Sequence, residues 1–281
     1  TRRVTPMAWA DEFWPAASYW DIAKQPAGQI DNLLPSWHRI VAVLHSSGLL
    51  NEDEVPGWLR VGTSLAEIAT EIDTTLHRSV EDGASPKQAL IHGDPKAANF
   101  FLRSRGDAKL PDVGVIDFQW SGHGLCATDV AYCVLASASS DALIEGDEGH
   151  ATFCKSVSDR DGMALVIRDL PDSEERLVRF YHTQLVRAAA DCGAAIIVPS
   201  WEVFWQQYQC AFLDVCRVMI ACWWDVPGNR PGSAGPTIVD LLHRRQTLAP
   251  REQLVYNACN KSLDLACWAL RRMRVYLECY E

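Results

Sequence analysis

Residues 90–101 read LIHGDPKAANFF, and residues 115–120 read VIDFQW. Within and between short apolar runs, these two stretches carry a histidine, an asparagine and two acids: His92, Asn99, Asp94 and Asp117. Short apolar runs on either side of a polar loop predict strands, and strands hold loop residues in fixed positions. We therefore expect the loop residues to lie close to Asp117, which is expected to end the last strand.

Oxygen-bearing side chains in this arrangement are the groups that phosphoryl transfer requires. A carboxylate orients the attacking hydroxyl and accepts its proton, and Mg²⁺ prefers hard oxygen ligands such as carboxylates and amides. Asp94 and Asn99 are five residues apart in one loop, and Asp117 can reach them from the end of a strand. The sequence therefore predicts a phosphoryl-transfer site at this loop.

The remainder of the chain is mostly helical in pattern. Residues 36–46 and the stretch 58–80 have apolar residues at helical spacing, and the chain reads as helices from Asp129 onward. The predicted fold is α+β and mostly helical, with a small strand platform that carries the catalytic loop. We expect one domain over residues 1–281, made of three parts: a helical lead-in (1–89), the catalytic and metal-binding loops (90–135) and a helical substrate-side subdomain (136–281).

Composition narrows the class of partner. The chain has 281 residues, of which 48% are hydrophobic and 22% charged, and a net charge of −10, so a basic nucleic-acid-binding surface is not expected. Asp214 and Arg217 interrupt the longest apolar stretch, 210–224, which is too short to span a membrane. The ten cysteines form no C-x-x-C pair and predict reduced thiols and a cytoplasmic protein.

These motifs carry a family resemblance. HGDPKAANFF followed by VIDFQ resembles the catalytic loop and metal-binding motif of the aminoglycoside phosphotransferase and choline kinase superfamily, whose fold is related to that of protein kinases. The IDFQ ending, the stretch EFWPAASYW and the helical FYHTQL segment look most like its ecdysteroid-kinase-like (CHK kinase-like) branch. The resemblance covers nearly the whole chain, as the C-terminal lobe of a kinase-like fold.

The resemblance implies a role for each motif residue. Asp94 would be the catalytic base, and Asn99 and Asp117 would be magnesium ligands. His92 would brace the loop, while Lys96 would either contact a phosphate or be a solvated surface lysine. Asp129, in the segment GHGLCATDVAYCVL, would hold the loop by hydrogen bonds. The implied reaction is transfer of a phosphoryl group from ATP, with Mg²⁺, to a hydroxyl of a small molecule.

The nucleotide-binding half of such an enzyme is not found in the sequence. It would need a glycine-rich loop and a phosphate-binding lysine on a strand. Lys24 lies in a loop flanked by proline, Lys87 precedes a strand, and the glycine cluster at 227–236 lies far downstream. Because the chain also begins at Thr1 without a methionine, we expect a truncated or N-lobe-lacking chain with little or no activity alone.

Two other functions stay open at this point. A non-catalytic kinase-like (pseudokinase) binding module would bind a ligand or partner without magnesium-dependent ATP hydrolysis. A metal-dependent hydrolase could use His92, Asp94, Asp117 and His123, although no H-E-x-x-H or similar paired-ligand spacing supports it. Aromatic residues of the later helices are expected to be core, although some could face an apolar or cationic hydroxyl compound.

Overall fold

The computed structural model of the chain describes residues 13–77, 89–104, 106, 111–143, 173–192, 197–224 and 263–280. Within these ranges there are seven α-helices: α1 Gln29–Ser46, α2 Val55–His77, α3 Cys126–Ser137, α4 Ser140–Leu143, α5 Ser173–Asp191, α6 Trp201–Val218 and α7 Leu263–Tyr280. Four short strands accompany them: β1 Ala89–Ile91, β2 Phe100–Arg103, β3 Asp112–Val115 and β4 Gly122–Gly124. The fold is α+β and mostly helical, as predicted. Lys87 and the glycine cluster at 227–236 lie outside the described residues.

The strands form two small antiparallel sheets on either side of the polar loop. In one sheet β1 pairs with β4, with Ile91 opposite Gly122. In the other, β2 pairs with β3, with Phe100 opposite Val115. The sequence predicted three strands and missed β4, because its residues Gly-His-Gly lack the β-branched and aromatic side chains typical of strands.

Helix α1 begins earlier than predicted. The sequence predicted a helix over 36–46 from the spacing of its apolar residues, a range that begins just after Pro35. Proline is rarely found inside a helix, where it removes a main-chain hydrogen bond. The structure places Pro35 within α1, which begins at Gln29 after Gly28. Leu33 and Trp37 lie one turn apart on either side of the proline, and both are fully buried. Their packing outweighs the local cost of Pro35.

The core lies where α6 packs against α2, α3 and α7. Of the aromatic residues expected in the core, Tyr208, Trp224 and Trp268 are buried, whereas Trp201, Trp205 and Trp223 are half-buried. Helix α6 continues into a π-helical turn, Met219–Trp224. None of the described helices combines the length and hydropathy needed to cross a membrane. The eight cysteines in the described ranges are all free thiols.

Candidate active site

The predicted catalytic loop lies between β1 and β2, and the structure buries its two central polar residues. Asp94 is 1% exposed and Asn99 is 4% exposed. The side-chain nitrogen of Asn99 donates a hydrogen bond to the main-chain oxygen of Asp94 at 2.9 Å, and lies 3.4 Å from its Oδ2. This contact fixes the amide of Asn99 and leaves its carbonyl oxygen at the opposite end of the group.

Lys96 makes the closest charged contact in the loop. Its Nζ donates to Oδ2 of Asp94 at 2.5 Å, and its side chain is 23% exposed. The sequence left a phosphate contact or a solvated lysine open, and the structure shows an ion pair with the predicted base.

The two oxygens of Asp94 have different surroundings. Oδ2 is held by Lys96, whereas Oδ1 is buried and has no hydrogen bond of standard geometry to the described residues. Burial raises the pKa of Asp94, and the nearby charge of Asp117 adds to this rise. The Lys96 ammonium and the Tyr132 hydroxyl offset part of it. The carboxylate is therefore a stronger base than one exposed to water.

Asp117 does not end a strand as predicted, because β3 stops at Val115. Asp117 instead has left-handed backbone angles, φ 65° and ψ 56°, and precedes a short 3₁₀ turn, Phe118–Trp120. Aspartate is one of the few non-glycine residues that adopt this conformation, and such residues are frequent at functional sites. The backbone turn exposes the Asp117 side chain, which makes no capping bond to the 3₁₀ turn.

Main-chain contacts bring Asp117 to the catalytic loop. The amide of Ile116 donates to the main-chain oxygen of Asn99 at 3.1 Å. On the other side, Nε2 of His92 donates to the carbonyl of Ile116 at 2.8 Å, and Nδ1 of His92 accepts from the amide of Asp94 at 3.2 Å. Because Nδ1 accepts, His92 is the neutral tautomer that carries its proton on Nε2. His92 thus connects the residue before Asp117 to Asp94.

Asp129, in the first turn of α3, contacts the main chain at the start of the loop. Its Oδ2 accepts from the amide of His92 at 2.7 Å and its Oδ1 accepts from the amide of Gly93 at 3.0 Å. Burial raises the pKa of Asp129 to about 6, although both main-chain bonds favour the charged form. This carboxylate fixes the two residues that precede Asp94.

Gly93 is expected to tolerate no side chain. Its φ is +79°, and a Cβ built on it would lie 2.1 Å from the carbonyl oxygen of Trp120 and 2.8 Å from the amide nitrogen of Ser18. Gly93→Ala should therefore lower the free energy of unfolding by more than about 2 kcal/mol in a urea titration. Gly48→Ala is the matched control, because Gly48 has φ +73° with no atom within 4 Å, and should cost only about 1 kcal/mol. Equal costs for the two variants would contradict the close approach at Gly93.

Two positions offer oxygen ligands of the kind that magnesium prefers. Asp117 presents an exposed carboxylate. The side-chain nitrogen of Asn99 donates to the main chain of Asp94, and the side-chain oxygen lies at the opposite end of the same amide group. A carboxylate and an amide oxygen are hard donors, so the side chains fit the metal that the sequence implied.

A different set of side chains meets the geometric requirement for three metal ligands. In the described ranges, ligand atoms of Asp73, His77 and Asp214 lie within 4.8 Å of one another. However, Arg217 donates to Asp214 at 2.8 Å and lies 3.5 Å from Asp73, while His77 lies 3.1 Å from Asp214. A guanidinium occupies the position that a cation would need, so this cluster is a buried ion-pair network.

The residues of the hydrolase alternative do not form such a group among the described residues. His123 is exposed on β4, and both ring nitrogens of His92 already have main-chain partners. The structure therefore gives the hydrolase alternative no ligand set.

Three contacts of the loop were missed from the sequence. The Ser137 hydroxyl accepts from the amide of Ala97 at 2.6 Å, and the Ser121 hydroxyl donates to the carbonyl of His92 at 3.1 Å. The Tyr132 hydroxyl interacts with the Asp94 carboxylate. Ser137 and Tyr132 occur in a helical run whose spacing gives no sign that it faces a loop. Only the segment DVAY, directly after the glycine-containing turn, could have drawn attention to Tyr132.

Comparison with known families and proteins gave one match. The model of the phosphotransferase enzyme family (APH) matches residues 10–166, which is more than half of the 281 residues. The match includes the catalytic loop, Asp117 and Asp129. No curated protein and no solved structure matched the chain.

Proposed function

Because the chain belongs to the phosphotransferase enzyme family, we propose that it transfers the γ-phosphoryl group of ATP to a hydroxyl group of a small molecule, with magnesium. The arrangement of Asp94, Asn99 and Asp117 carries this proposal. One buried carboxylate with a raised pKa lies beside an amide and an exposed carboxylate, which are the base and the metal ligands that the reaction requires.

Asp94 is the proposed base. Its Oδ1 makes no hydrogen bond of standard geometry to the described residues, so it can accept the proton of an attacking hydroxyl. Its raised pKa strengthens it as a base. Lys96 neutralises the carboxylate in this conformation, and a phosphate would give the ammonium a second acceptor. Release of Oδ2 by Lys96 would then expose the base to the substrate.

Asn99 and Asp117 are the proposed magnesium ligands. Bound magnesium would neutralise the charge of the phosphate oxygens during transfer. The main-chain hydrogen bond from Ile116 to Asn99 holds the residue before Asp117 next to Asn99, which supports a site shared by the two side chains. His92 and Asp129 are proposed as supporting residues, because their contacts are to the main chain of the loop and of Ile116.

We propose further that these elements form the C-terminal lobe of a kinase-like fold of the ecdysteroid-kinase-like branch. The order of β1, loop, β2, β3, Asp117, β4 and α3 supports this assignment. The lysines of the described ranges are Lys24 and Lys96, and neither lies on a strand. Among the described residues, neither lysine is therefore in the position of the strand lysine that contacts nucleotide phosphates in this kind of fold.

Removal of the exposed carboxylate tests the metal site. Asp117→Ala should weaken magnesium-dependent ATP binding by about tenfold or more, because a ligand charge next to the triphosphate is lost. Calorimetric titration of ATP into the protein, with magnesium and with EDTA, measures this change.

Asp112→Ala is the matched control. Asp112 lies on the strand that leads to Asp117, and its carboxylate pairs at the surface with Arg103 at 3.0 Å. This variant should bind ATP like the wild type. Equal ATP affinity of the wild type and Asp117→Ala would remove Asp117 from the metal site, and absence of ATP binding in the wild type would contradict the proposed function for this chain.

One observation favours a second candidate, a non-catalytic binding module. Asp94 is 1% exposed and ion-paired with Lys96, so the proposed base is not accessible to a substrate in this conformation. A binding module would bind magnesium-ATP without turnover, whereas an enzyme would release phosphate or phosphorylate an alcohol. A phosphate-release assay on the chain that binds ATP distinguishes the two.

A further inference from the structure

Two buried phenols connect the proposed base to a segment far away in the sequence. Tyr132, on α3, is 1% exposed and Tyr19 is 8% exposed. Their hydroxyl oxygens lie 2.8 Å apart. The Tyr132 hydroxyl also interacts with the Asp94 carboxylate. The three side chains therefore form a chain of polar contacts that ends at the base.

The direction of this chain follows from proton counting. A phenol has one proton to donate, and an ionised carboxylate can only accept. If Tyr132 gives its proton to the hydrogen bond with Asp94, its oxygen must accept from Tyr19. In that arrangement, Tyr19 orients the hydroxyl of Tyr132 toward the carboxylate.

The rings of both tyrosines are fixed by aromatic packing. The Tyr132 ring stacks on Trp20 with centroids 4.5 Å apart and an interplanar angle of 21°. The Tyr19 ring meets Tyr132 edge-on at 6.0 Å. Because buried rings packed on several sides cannot rotate freely, the two hydroxyls have little freedom to leave the contact.

Main-chain contacts fix the segment that carries Tyr19. The Lys24 ammonium donates to three consecutive carbonyls, those of Ala16, Ala17 (3.0 Å) and Ser18 (2.9 Å). Ser18 has a left-handed backbone with φ 72°, and its amide donates to the carbonyl of Trp120 at 3.2 Å. Lys24, which the sequence placed in a loop and not on a phosphate-binding strand, is thus engaged in holding this segment.

We propose that Tyr132, oriented by Tyr19, is a positioning residue that holds the carboxylate of Asp94 in the orientation that accepts the substrate proton. The inference rests on the proposed function, because it concerns the geometry of the proposed base. Small errors in the position of a base lower the rate of the chemical step far more than the affinity for substrate. A positioning role therefore predicts a change in kcat without a matching change in KM.

The test compares Tyr132→Phe, Tyr19→Phe and the double variant in magnesium-dependent phosphate release from ATP. Tyr132→Phe should lower kcat about tenfold and leave KM for ATP within about twofold of the wild type. Tyr19→Phe should have a smaller effect, and should add nothing in the Tyr132→Phe background, because its hydroxyl acts through Tyr132. Unchanged kcat in Tyr132→Phe, or additive effects in the double variant, would overturn the inference.

Tyr208→Phe is the matched control. Tyr208 is a fully buried tyrosine whose hydroxyl donates to a carboxylate, Oε1 of Glu174, at 2.7 Å. Tyr208→Phe removes the same hydroxyl group as Tyr132→Phe, but at a site away from Asp94. Both variants should lose stability, whereas kcat of Tyr208→Phe should stay within about twofold of the wild type. An equal drop in kcat in this control would show a general structural effect and overturn the positioning role.

A second measurement does not depend on turnover. The urea midpoints of the wild type, Tyr132→Phe, Asp94→Ala and the double variant form a cycle on the nucleotide-free protein. Tyr132→Phe should lower the midpoint when Asp94 is present and change it little in the Asp94→Ala background. Absence of this coupling would overturn the positioning role of Tyr132 and leave the proposed function standing. A wild type with coupling but no turnover would instead overturn the proposed function and the positioning role with it.

Discussion

Asp94→Asn is expected to lower the rate of phosphoryl transfer by about 10²–10⁴-fold and to leave ATP affinity nearly unchanged. The amide has almost the same shape as the carboxylate, so it preserves the packing of a residue that is 1% exposed. It cannot accept the substrate proton as a base. Because the proposed metal ligands are Asn99 and Asp117, the nucleotide should still bind. Turnover and calorimetric ATP titration, measured on the same preparation, check both parts.

The control for this variant is Asp73→Asn, which also neutralises a buried carboxylate. Burial and the charge of Asp214 raise the pKa of Asp73 to about 6, and its Oδ1 accepts from the amide of Ile22 at 2.8 Å. Asp73→Asn should change stability but leave turnover within about twofold of the wild type. Retained turnover in Asp94→Asn would remove Asp94 from the role of base.

Arg217→Met should be strongly destabilising, lowering the free energy of unfolding by about 3–5 kcal/mol. Arg217 is fully buried and its guanidinium donates to Asp214 (2.8 Å), to the Gln29 side chain (2.5 Å) and to the carbonyl of Trp20 (2.7 Å). Methionine fills similar space but leaves the Asp214 carboxylate without its counter-charge. Urea unfolding, followed by circular dichroism, measures the loss.

The pKa of Asp214 shows how much the arginine contributes. Burial alone would raise this pKa, but the charge of Arg217 and the contact with His77 outweigh burial and hold the pKa below its usual range. A lowered pKa means that the ionised carboxylate stabilises the native state above pH 4 and that this contribution is lost as the pH falls. Loss of Arg217 should remove most of that contribution and leave only the part that comes from His77.

Arg274→Met is the matched control for Arg217. Arg274 pairs with Glu278 one turn away on α7, with both side chains about half exposed, and such pairs contribute little to stability. Its replacement should change the free energy of unfolding by less than about 0.5 kcal/mol. Arg217→Lys should fall between the two, because it keeps the charge but loses the planar set of donors. A loss below about 1 kcal/mol in Arg217→Met would contradict the importance of the network.

Local patterns predicted some elements well. Helix α2 covers most of the predicted stretch 58–80, from Val55 to His77. Of the apolar residues at its predicted spacing, Leu65, Ile72 and Leu76 are buried and Ile68 is half-buried. The two stretches around Asp94 and Asp117 lie together, as expected from strands that bracket a loop. Periodicity and turn residues are properties of neighbouring positions, so they can be read from the sequence.

Other features depend on partners that are far apart in the chain. Strand β4 has no strand-like side chains, and it forms because Ala89–Ile91 and Trp14 supply main-chain partners. Ile116, directly before the turn that exposes Asp117, is hydrogen-bonded to His92, which lies 24 residues away in the chain. Neither arrangement produces a pattern in the neighbouring sequence from which it could be predicted.

The sequence by itself determined the mostly helical α+β class, the loop that carries Asp94 and Asn99, and the order of the motifs that indicates the family. These depend on residue type and short spacing, which a chain retains before it folds. Only the tertiary structure decided that Lys96 and Tyr132 both contact Asp94, and that Arg217 joins residues of α2 and α6. Such contacts exist only once burial removes water and leaves each polar group to find a partner in the folded chain.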